Sequence, residues 1–168
     1  MRRLAPARVP PPSAAAKPST HAAAGIRRGR VAILTGCAQP VLEPGINEAA
    51  IRLLTRLGVE VVVSKGEGCC GALVHHMGRE DDALAAARRN VDAWTREIEA
   101  GGLDAIVITA SGCGTTIKDY GFMLREDREL AQPAAGGDSL HRDALAEEFV
   151  TLDVGPPRQH RDPVFAVA

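Results

Sequence analysis

The chain has 168 residues, of which 45% are hydrophobic and 3% aromatic, and its formal net charge is −1. This length suits one domain of ordinary size. No uninterrupted apolar stretch reaches the roughly 18 residues that a membrane-spanning helix needs, and four cysteines are too few for a disulfide scaffold. Membrane-spanning and disulfide-rich classes are therefore excluded.

The charge is distributed unevenly along the sequence. Residues 1–30 hold seven Lys and Arg and no Asp or Glu, so residues 31–168 carry 13 basic against 21 acidic groups, a balance of −8. Binding to nucleic acid depends on clustered positive charge that neutralises phosphates. The acidic body of the chain therefore predicts that nucleic acid is not a partner.

Residues 1–29 are rich in Pro, Ala and Arg and show no apolar periodicity, which predicts a disordered linker or tail. An organellar transit peptide and a basic arm that contacts membrane or nucleic acid are the two alternatives. Beyond residue 131 the pattern fades again. We expect a weakly structured tail over 132–168, with a short helix at 140–150.

Three apolar runs between these ends predict buried β-strands, at residues 30–35, 59–63 and 105–109. Helical spacing lies between and after them. One helix begins near Asn47 as its N-cap and stops at Gly58, and a third covers roughly 115–126. The second and clearest helix carries apolar residues at steps of three and four, namely Leu84, Ala87, Val91, Trp94 and Ile98.

The resulting order is β-α-β-α-β-α, within a domain that we place at residues 30–131. Strands that are apolar throughout are buried on both faces, and helices between them imply right-handed crossovers. The sequence therefore predicts an α/β fold with an open parallel sheet.

All four cysteines follow predicted strands: Cys37 follows the first strand, Cys69 and Cys70 the second, and Cys113 the third. The carboxyl ends of parallel strands share one edge, where ligands bind, so we expect the four thiols to converge there. Glycines flank every cysteine, and their amides would be free to donate to sulfur; they are Gly36, Gly68, Gly71, Gly112 and Gly114.

Four interpretations of the cysteines remain open on these grounds. They are an iron–sulfur centre or a redox dithiol site derived from one, a zinc site, a structural disulfide, and cysteines that merely pack in the core. Zinc is disfavoured because the chain lacks the CxxC pairs that zinc knuckles use.

The three loops TGCAQPVLEPGIN, GEGCCGALVHH and TASGCGTTIKDYG together resemble the CCG cysteine-rich domain family, over roughly residues 30–130. Within it the chain is similar to the branch of glycolate oxidase iron–sulfur subunits. Those subunits carry a ferredoxin-like region and two CCG domains, and the chain looks like a fragment with one CCG domain.

One position departs from the fuller family pattern, because Ala110 stands where the first cysteine of a final CxxC is found. Four thiols remain, which suffice for one 4Fe–4S or 2Fe–2S cluster, but not for the five-cysteine clusters of the heterodisulfide reductase branch. The resemblance implies that Cys37, Cys69, Cys70 and Cys113 are metal ligands, with 4Fe–4S as the expected cluster and a metal-free domain as the alternative.

The resemblance also implies a role and partners. The chain would relay electrons from a flavin subunit that oxidises glycolate to glyoxylate, with FAD held only by that partner and no substrate site of its own. The ferredoxin-like region would lie on a separate chain. The complex is expected in the cytoplasm, either free or held peripherally at the inner face of the membrane. The alternative is a metal-free or zinc-stabilised interaction domain of a related lactate-oxidation or heterodisulfide reductase-like complex.

Three further polar residues lie near the cysteines. His75 and His76 follow Cys70, where imidazole could replace a thiolate on iron or exchange protons, or simply start a helix. Lys118 follows Cys113, together with Tyr120, and could lower a thiol pKa or lie on a solvated helix surface. We treat His75, His76 and Lys118 as candidates for the surroundings of the centre.

Overall fold

The computed structural model describes residues 10–126 and the strand 164–167. Within them the strands are β1 (Ser19–His21), β2 (Gly29–Ile33), β3 (Val59–Val63), β4 (Ala105–Ile108) and β5 (Val164–Val167). The helices are α1 (Gln39–Leu42), α2 (Gly45–Arg56), α3 (Ala72–His76), α4 (Glu80–Gly101), α5 (Ser111–Lys118) and α6 (Tyr120–Met123), and a 3₁₀ turn covers Ala14–Ala16.

The strands form one sheet in the order β1-β3-β2-β4-β5. Strand β2 is parallel to β3 on one side and to β4 on the other, and β5 continues the parallel arrangement beyond β4. Only the short edge strand β1 is antiparallel among the described strands. The predicted α/β fold with a parallel sheet is confirmed, and β1 is an addition to it.

Side chains of the central strands point alternately to two cores, as the pleat of a strand requires. Ala32, Leu34, Ile106 and Ile108 pack on one face, against α4, α5 and α6. On the other face α2 covers a second cluster, made of Val31, Ile33, Val61, Val63 and Val107 with Ile51 and Leu54. Burial on both faces explains why the strands are apolar without alternation.

Helix α4 presents the face that its sequence predicts. Ala87, Val91 and Trp94 are buried, and Leu84 and Ile98 pack against the same cluster. The indole of Trp94 lies near the ring of Tyr120, with centroids 6.5 Å apart. This helix therefore joins the sheet to α6.

The prediction of a disordered linker over 1–29 is wrong for the turn at Ala14–Ala16 and for β1. A two-stranded ladder is made by backbone groups, so a polar segment can pair with the free edge of β3 without any apolar pattern. Ala15 is only 8% exposed and packs into the second cluster. Residues 1–9 lie outside the described residues.

Two other local predictions are corrected. Helix α2 begins at Gly45, and Asn47 is buried in its first turn rather than capping it. The helix predicted at 115–126 divides into α5 and α6. It begins early, at Ser111, because the glycines of the SGCG segment adopt helical geometry, and Gly114 N–H donates to Ala110 C=O at 3.0 Å.

The tail predicted over 132–168 contains a strand, because residues 164–167 pair with β4 through β5. This apolar run satisfies the open edge of β4 by backbone hydrogen bonding. The predicted helix at 140–150 lies outside the described residues.

No helix among the described residues combines the length and the apolar character needed to cross a membrane.

At the edge of the sheet opposite the cysteines, Arg30 ties three elements together. Its guanidinium pairs with Glu60 at 2.9 Å and with Glu97 at 2.7 Å, and donates to Gly102 C=O at 2.8 Å. The side chain is 13% exposed, so these bonds are partly shielded from water. Arg27 pairs with the same Glu60 at 3.2 Å but is 55% exposed.

Replacing Arg30→Ala should lower the free energy of unfolding by about 2 kcal/mol, because it removes the partner of the Glu97 carboxylate and of Gly102 C=O and leaves Glu60 with the exposed Arg27 alone. Arg27→Ala is the matched control and should cost below about 0.5 kcal/mol, as exposed ion pairs do. Urea unfolding measures both. Equal losses would show that Arg30 is one more surface charge.

Candidate metal centre

The carboxyl ends of β2, β3 and β4 carry the four cysteines to one rim of the sheet. Cys37 lies in the loop after β2, Cys69 and Cys70 in the loop between β3 and α3, and Cys113 in the first turn of α5. The chain leaves β2 toward β3 on one side and reaches β4 on the other, so this rim is a topological switch point, where α/β proteins bind ligands.

All four cysteines are free thiols. They stand as two contacting pairs. In the outer pair the sulfurs of Cys37, which is exposed, and Cys69, which is half-buried, lie 3.4 Å apart. In the inner pair the thiol of Cys113 is hydrogen-bonded to Cys70, which is only 2% exposed.

The inner pair shares a proton unequally. The hydrogen bond from Cys113 lowers the pKa of Cys70 to about 6, although desolvation opposes this shift. The same hydrogen bond, with burial added, raises the pKa of Cys113. Repulsion from negative charge on Cys70, Cys37 and Cys69 raises it further.

The outer pair has a different environment. Partial burial and the hydrogen bond with Cys69 raise the pKa of Cys37, while a hydrogen bond with the amide of Ala38 lowers it. The amide of Gly71 donates to the sulfur of Cys69 at 3.4 Å. The outer thiols therefore lie at the exposed side of the centre, with the inner thiols beneath them.

Amide donors to sulfur come from fewer glycines than predicted. They are Gly71 for Cys69, Ala72 and its own amide for Cys70, and Ala38 for Cys37. The amide of Gly68 donates instead to Asn90 Oδ1 at 2.9 Å, and that of Gly114 closes a turn of α5. A Cβ at Gly36 or Gly112 would meet no atom within 4 Å.

Gly71 is required for two reasons. Its φ of +83° lies in the left-handed region that favours glycine. A Cβ there would also lie 3.2 Å from the carbonyl oxygen of Ala83. This residue allows the Cys69–Cys70 loop to turn into α3 while packed against α4.

A buried polar network beneath the vicinal cysteines was not predicted. Asn90 is fully buried; its Nδ2 donates to Cys69 C=O and to the hydroxyl of Tyr120, each at 3.1 Å. The Tyr120 hydroxyl donates to Cys70 C=O at 2.8 Å, and burial raises its pKa. The only signal in the sequence is an asparagine on the otherwise apolar side of α4.

Glu67 is a second residue that sequence patterns do not single out. Its carboxylate accepts from the amide of Thr35 at 2.9 Å and from Trp94 Nε1 at 3.3 Å, and so links the end of β2 to α4. Burial raises the pKa of Glu67 to about 7, against the effect of these two hydrogen bonds. The loop between β3 and Cys69 is thus held at Glu67 as well as at Gly68.

The segment after Cys37 is held by a third set of polar contacts. Asn47 Nδ2 donates to Leu34 C=O at 3.0 Å, and its Oδ1 accepts from Gln39 Nε2 at 2.6 Å and from the hydroxyl of Thr109 at 2.7 Å. This cluster joins the ends of β2 and β4 to α1. It explains why Asn47 is buried inside α2 rather than at its start.

The structure does not bring the other predicted residues into the thiol cluster. His75 and His76 are both exposed, and they lie in the last turn of α3 rather than at the start of a helix. Their ring centroids are 5.9 Å apart. Lys118 is exposed at the last residue of α5. Their part in a metal centre remains a prediction.

The chemistry of the donor set suits an iron–sulfur cluster, since four thiols face one rim and thiolates are the ligands such clusters use. The arrangement is not a finished coordination shell. Among the described residues, no three Cys, His, Asp or Glu side chains are grouped as a metal ion requires. Binding a cluster would therefore need the two pairs to separate around it.

Stability should fall as pH rises from about 4.5 to about 7, because the folded chain holds a proton on Glu67 that the unfolded chain has released. The stabilisation that this proton provides is complete at pH values below the pKa of Glu67 in the unfolded chain. It is lost as pH rises through the higher pKa of Glu67 in the folded chain. In metal-free protein, wild type should lose about 1–3 kcal/mol relative to Glu67→Gln over this interval. Urea unfolding at each pH measures it.

The exposed Glu99→Gln is the matched control, and it should keep the wild-type dependence on pH. A Glu67→Gln protein whose stability followed pH as wild type does would contradict the assignment.

Several curated proteins are similar in sequence to this chain. The chain is 50% identical over 105 residues to the glycolate oxidase iron–sulfur subunit of Escherichia coli and 32% identical over 111 residues to the probable glycolate oxidase iron–sulfur subunit of Bacillus subtilis. Lactate utilization protein A of Bacillus subtilis is 25% identical over 105 residues. These matches cover 62%, 66% and 62% of the chain.

The chain spans about a quarter of the first two relatives, 26% and 24% of their lengths, and 42% of the third. No solved structure gives a significant match. The family model of the cysteine-rich domain CCG matches residues 31–118, more than half of the chain and the whole segment that carries the four cysteines. The chain therefore belongs to the CCG cysteine-rich domain family.

Proposed function

We propose that this chain is an iron–sulfur, electron-transfer module of a glycolate oxidase complex, and that Cys37, Cys69, Cys70 and Cys113 hold one cluster. The observation that carries the proposal is the gathering of four free thiols at one rim of the sheet. A cluster bound there would accept and release single electrons. Similarity to two glycolate oxidase iron–sulfur subunits supports this function.

The degree of exposure of the thiols suits electron transfer to a partner. Cys70 is buried, Cys69 and Cys113 are half-buried, and Cys37 is exposed. A centre held by these residues would have one side shielded from water by Tyr120 and Trp94, and the other facing outward. Burial of one side limits solvent contact, which is a determinant of cluster potential.

In this proposal the buried polar network positions the backbone of the vicinal cysteines. Asn90 and Tyr120 bind the two carbonyls of the vicinal cysteines, and Glu67 binds the end of β2. These contacts fix the backbone from which Cys69 and Cys70 project. Amide donors from Gly71 and Ala72 stabilise negative charge on the sulfurs.

The described residues offer no built site for a 2-hydroxy acid. The pocket beside α1 is lined by Ser13, Ala15, Ala16, Gln39, Pro40, Pro44 and Asn47, and has room for about one water molecule. That lining holds no cation to bind a carboxylate. Because the chain is similar to two glycolate oxidase iron–sulfur subunits, we assign oxidation of glycolate to glyoxylate to a flavin-containing subunit, and the relay of its electrons to this chain.

The rest of the complex follows from the same proposal. FAD belongs to the partner, and a ferredoxin-like region of the complex would continue the relay toward a quinone or another acceptor. The free thiols fit a reducing compartment. We place the complex in the cytoplasm, with contact at the inner face of the membrane made through its other subunits.

Anaerobically purified full-length chain should contain iron and acid-labile sulfide in stoichiometric amounts. Cys69→Ser combined with Cys70→Ser should remove nearly all of both, because two of four ligands are lost. Thr115→Ser, an exposed substitution two residues after Cys113, is the control and should retain them. Circular dichroism checks that each variant is folded. The single substitution Cys69→Ser, at a half-buried position, is a second test that disturbs the fold less than the double variant.

Zinc alone, or no metal in protein kept strictly anaerobic, would contradict the proposal and favour the structural or interaction domain. Unchanged iron in the double variant would contradict the ligand assignment.

Glycolate added to the isolated, cluster-containing chain should leave its visible absorption unchanged, whereas dithionite should bleach it. The reason is that this proposal assigns substrate oxidation to a partner subunit, so electrons must arrive from that partner or from a chemical reductant. Bleaching by glycolate alone would show that the chain oxidises substrate itself.

A further inference from the structure

We propose that Cys37 and Cys69 form a reversible dithiol–disulfide couple, separate in its chemistry from the inner pair of Cys70 and Cys113. The couple does not depend on the proposed cluster, because it rests on the contact between two free thiols in the structure described. It gives the outer pair a redox activity of its own in the metal-free chain.

The two sulfurs need only a small approach to bond. They lie 3.4 Å apart, and a disulfide bond is about 2.05 Å long, so closure requires a movement of about 1.4 Å. Cys37 is exposed in a loop that leaves the sheet at Gly36, where φ is +72° and no atom lies within 4 Å of the Cβ position. This side of the pair can move without disturbing either core.

Access to solvent is greatest at Cys37 and least at Cys70, while Cys69 and Cys113 are both half-buried. Cys70 is 2% exposed, and its sulfur is already hydrogen-bonded to Cys113. Thiol–disulfide exchange requires the attacking sulfur to reach the oxidant in line with its disulfide bond. A dissolved disulfide can approach Cys37, whereas the residues around Cys70 block such an approach.

The oxidant we name is a small disulfide such as oxidised glutathione. The Cys37 thiolate attacks one of its sulfurs, forming a mixed disulfide and releasing one glutathione thiolate, which takes up a proton. The Cys69 thiolate then attacks the Cys37 sulfur, forming the Cys37–Cys69 bond and releasing the second glutathione. Two protein thiols lose two electrons and two protons in total, and one glutathione disulfide becomes two thiols.

One consequence connects the couple to metal binding, and it rests on the proposed function. A Cys37–Cys69 disulfide would remove two of the four sulfur ligands, so the oxidised chain would not assemble a cluster until it was reduced. The couple itself would exist even in a chain that never binds iron.

Digestion with trypsin makes it possible to identify which cysteines form a disulfide. Cleavage after Lys and Arg places Cys37 alone in the peptide 31–52, Cys69 and Cys70 together in 66–79, and Cys113 alone in 97–118. Metal-free full-length chain is equilibrated in glutathione buffers of increasing oxidised fraction, free thiols are blocked with iodoacetamide, and peptides are identified by mass. Circular dichroism checks the fold of every sample.

Wild type should show 31–52 linked to 66–79, with 97–118 alkylated, and excess reduced glutathione should reverse the link. Cys69→Ser should abolish it and leave glutathione attached at Cys37, whereas Cys113→Ser, at the inner pair, should keep it. A link between 66–79 and 97–118 in wild type, a 31–52 link that survives Cys69→Ser, or full alkylation in the most oxidising buffer would overturn the proposal. Iron and sulfide content, measured separately, tests the cluster independently.

Discussion

The direction of the strands is the constraint on which the site depends. Strands β2, β3 and β4 run parallel, so their carboxyl ends meet at one edge, and residues 32 positions apart in the chain reach a sulfur–sulfur distance of 3.4 Å. A parallel sheet needs helical crossovers that cover both faces, and those helices supply the residues beneath the thiols. The fold thus determines both where the cysteines meet and which of them stay exposed.

Desolvation explains the polar network beneath the vicinal cysteines. A buried polar group is costly unless it is hydrogen-bonded, so the carbonyls of Cys69 and Cys70 require partners once α4 covers them. Asn90 and Tyr120 provide those partners from α4 and α6. Cys70 lies within the core cluster and Cys113 packs against it, whereas Cys37 is exposed.

The sheet and the placement of the thiols could be predicted because their causes are local or topological. The run VEVVV gives the bounds of β3 directly, and the apolar face of α4 follows from its helical spacing. The thiols follow strands whose carboxyl ends share an edge, which is sufficient to bring them together. Local patterns do not determine helix boundaries where glycines allow more than one conformation, as at the start of α5.

Other features depend on tertiary contacts that no local pattern encodes. The polar segment of β1 is a strand because β3 offers it a free edge, and Asn47 is buried because Leu34, Gln39 and Thr109 bond its side chain. Asn90 lies within an amphipathic helix, and one polar residue on the apolar side of that helix does not change its helical periodicity. Such residues can be identified only when the structure shows which backbone carbonyls accept hydrogen bonds from them.

The division of labour inferred for this member of the CCG family, with electron relay here and substrate chemistry in another subunit, rests on the thiols binding one cluster together. Iron K-edge X-ray absorption of the anaerobically prepared full-length chain tests that claim most directly. A cluster held by cysteines requires that sulfur atoms alone surround each iron and that further iron atoms lie at the next distance, and we expect this result. Iron surrounded by oxygen or nitrogen, or iron without iron neighbours, would contradict it.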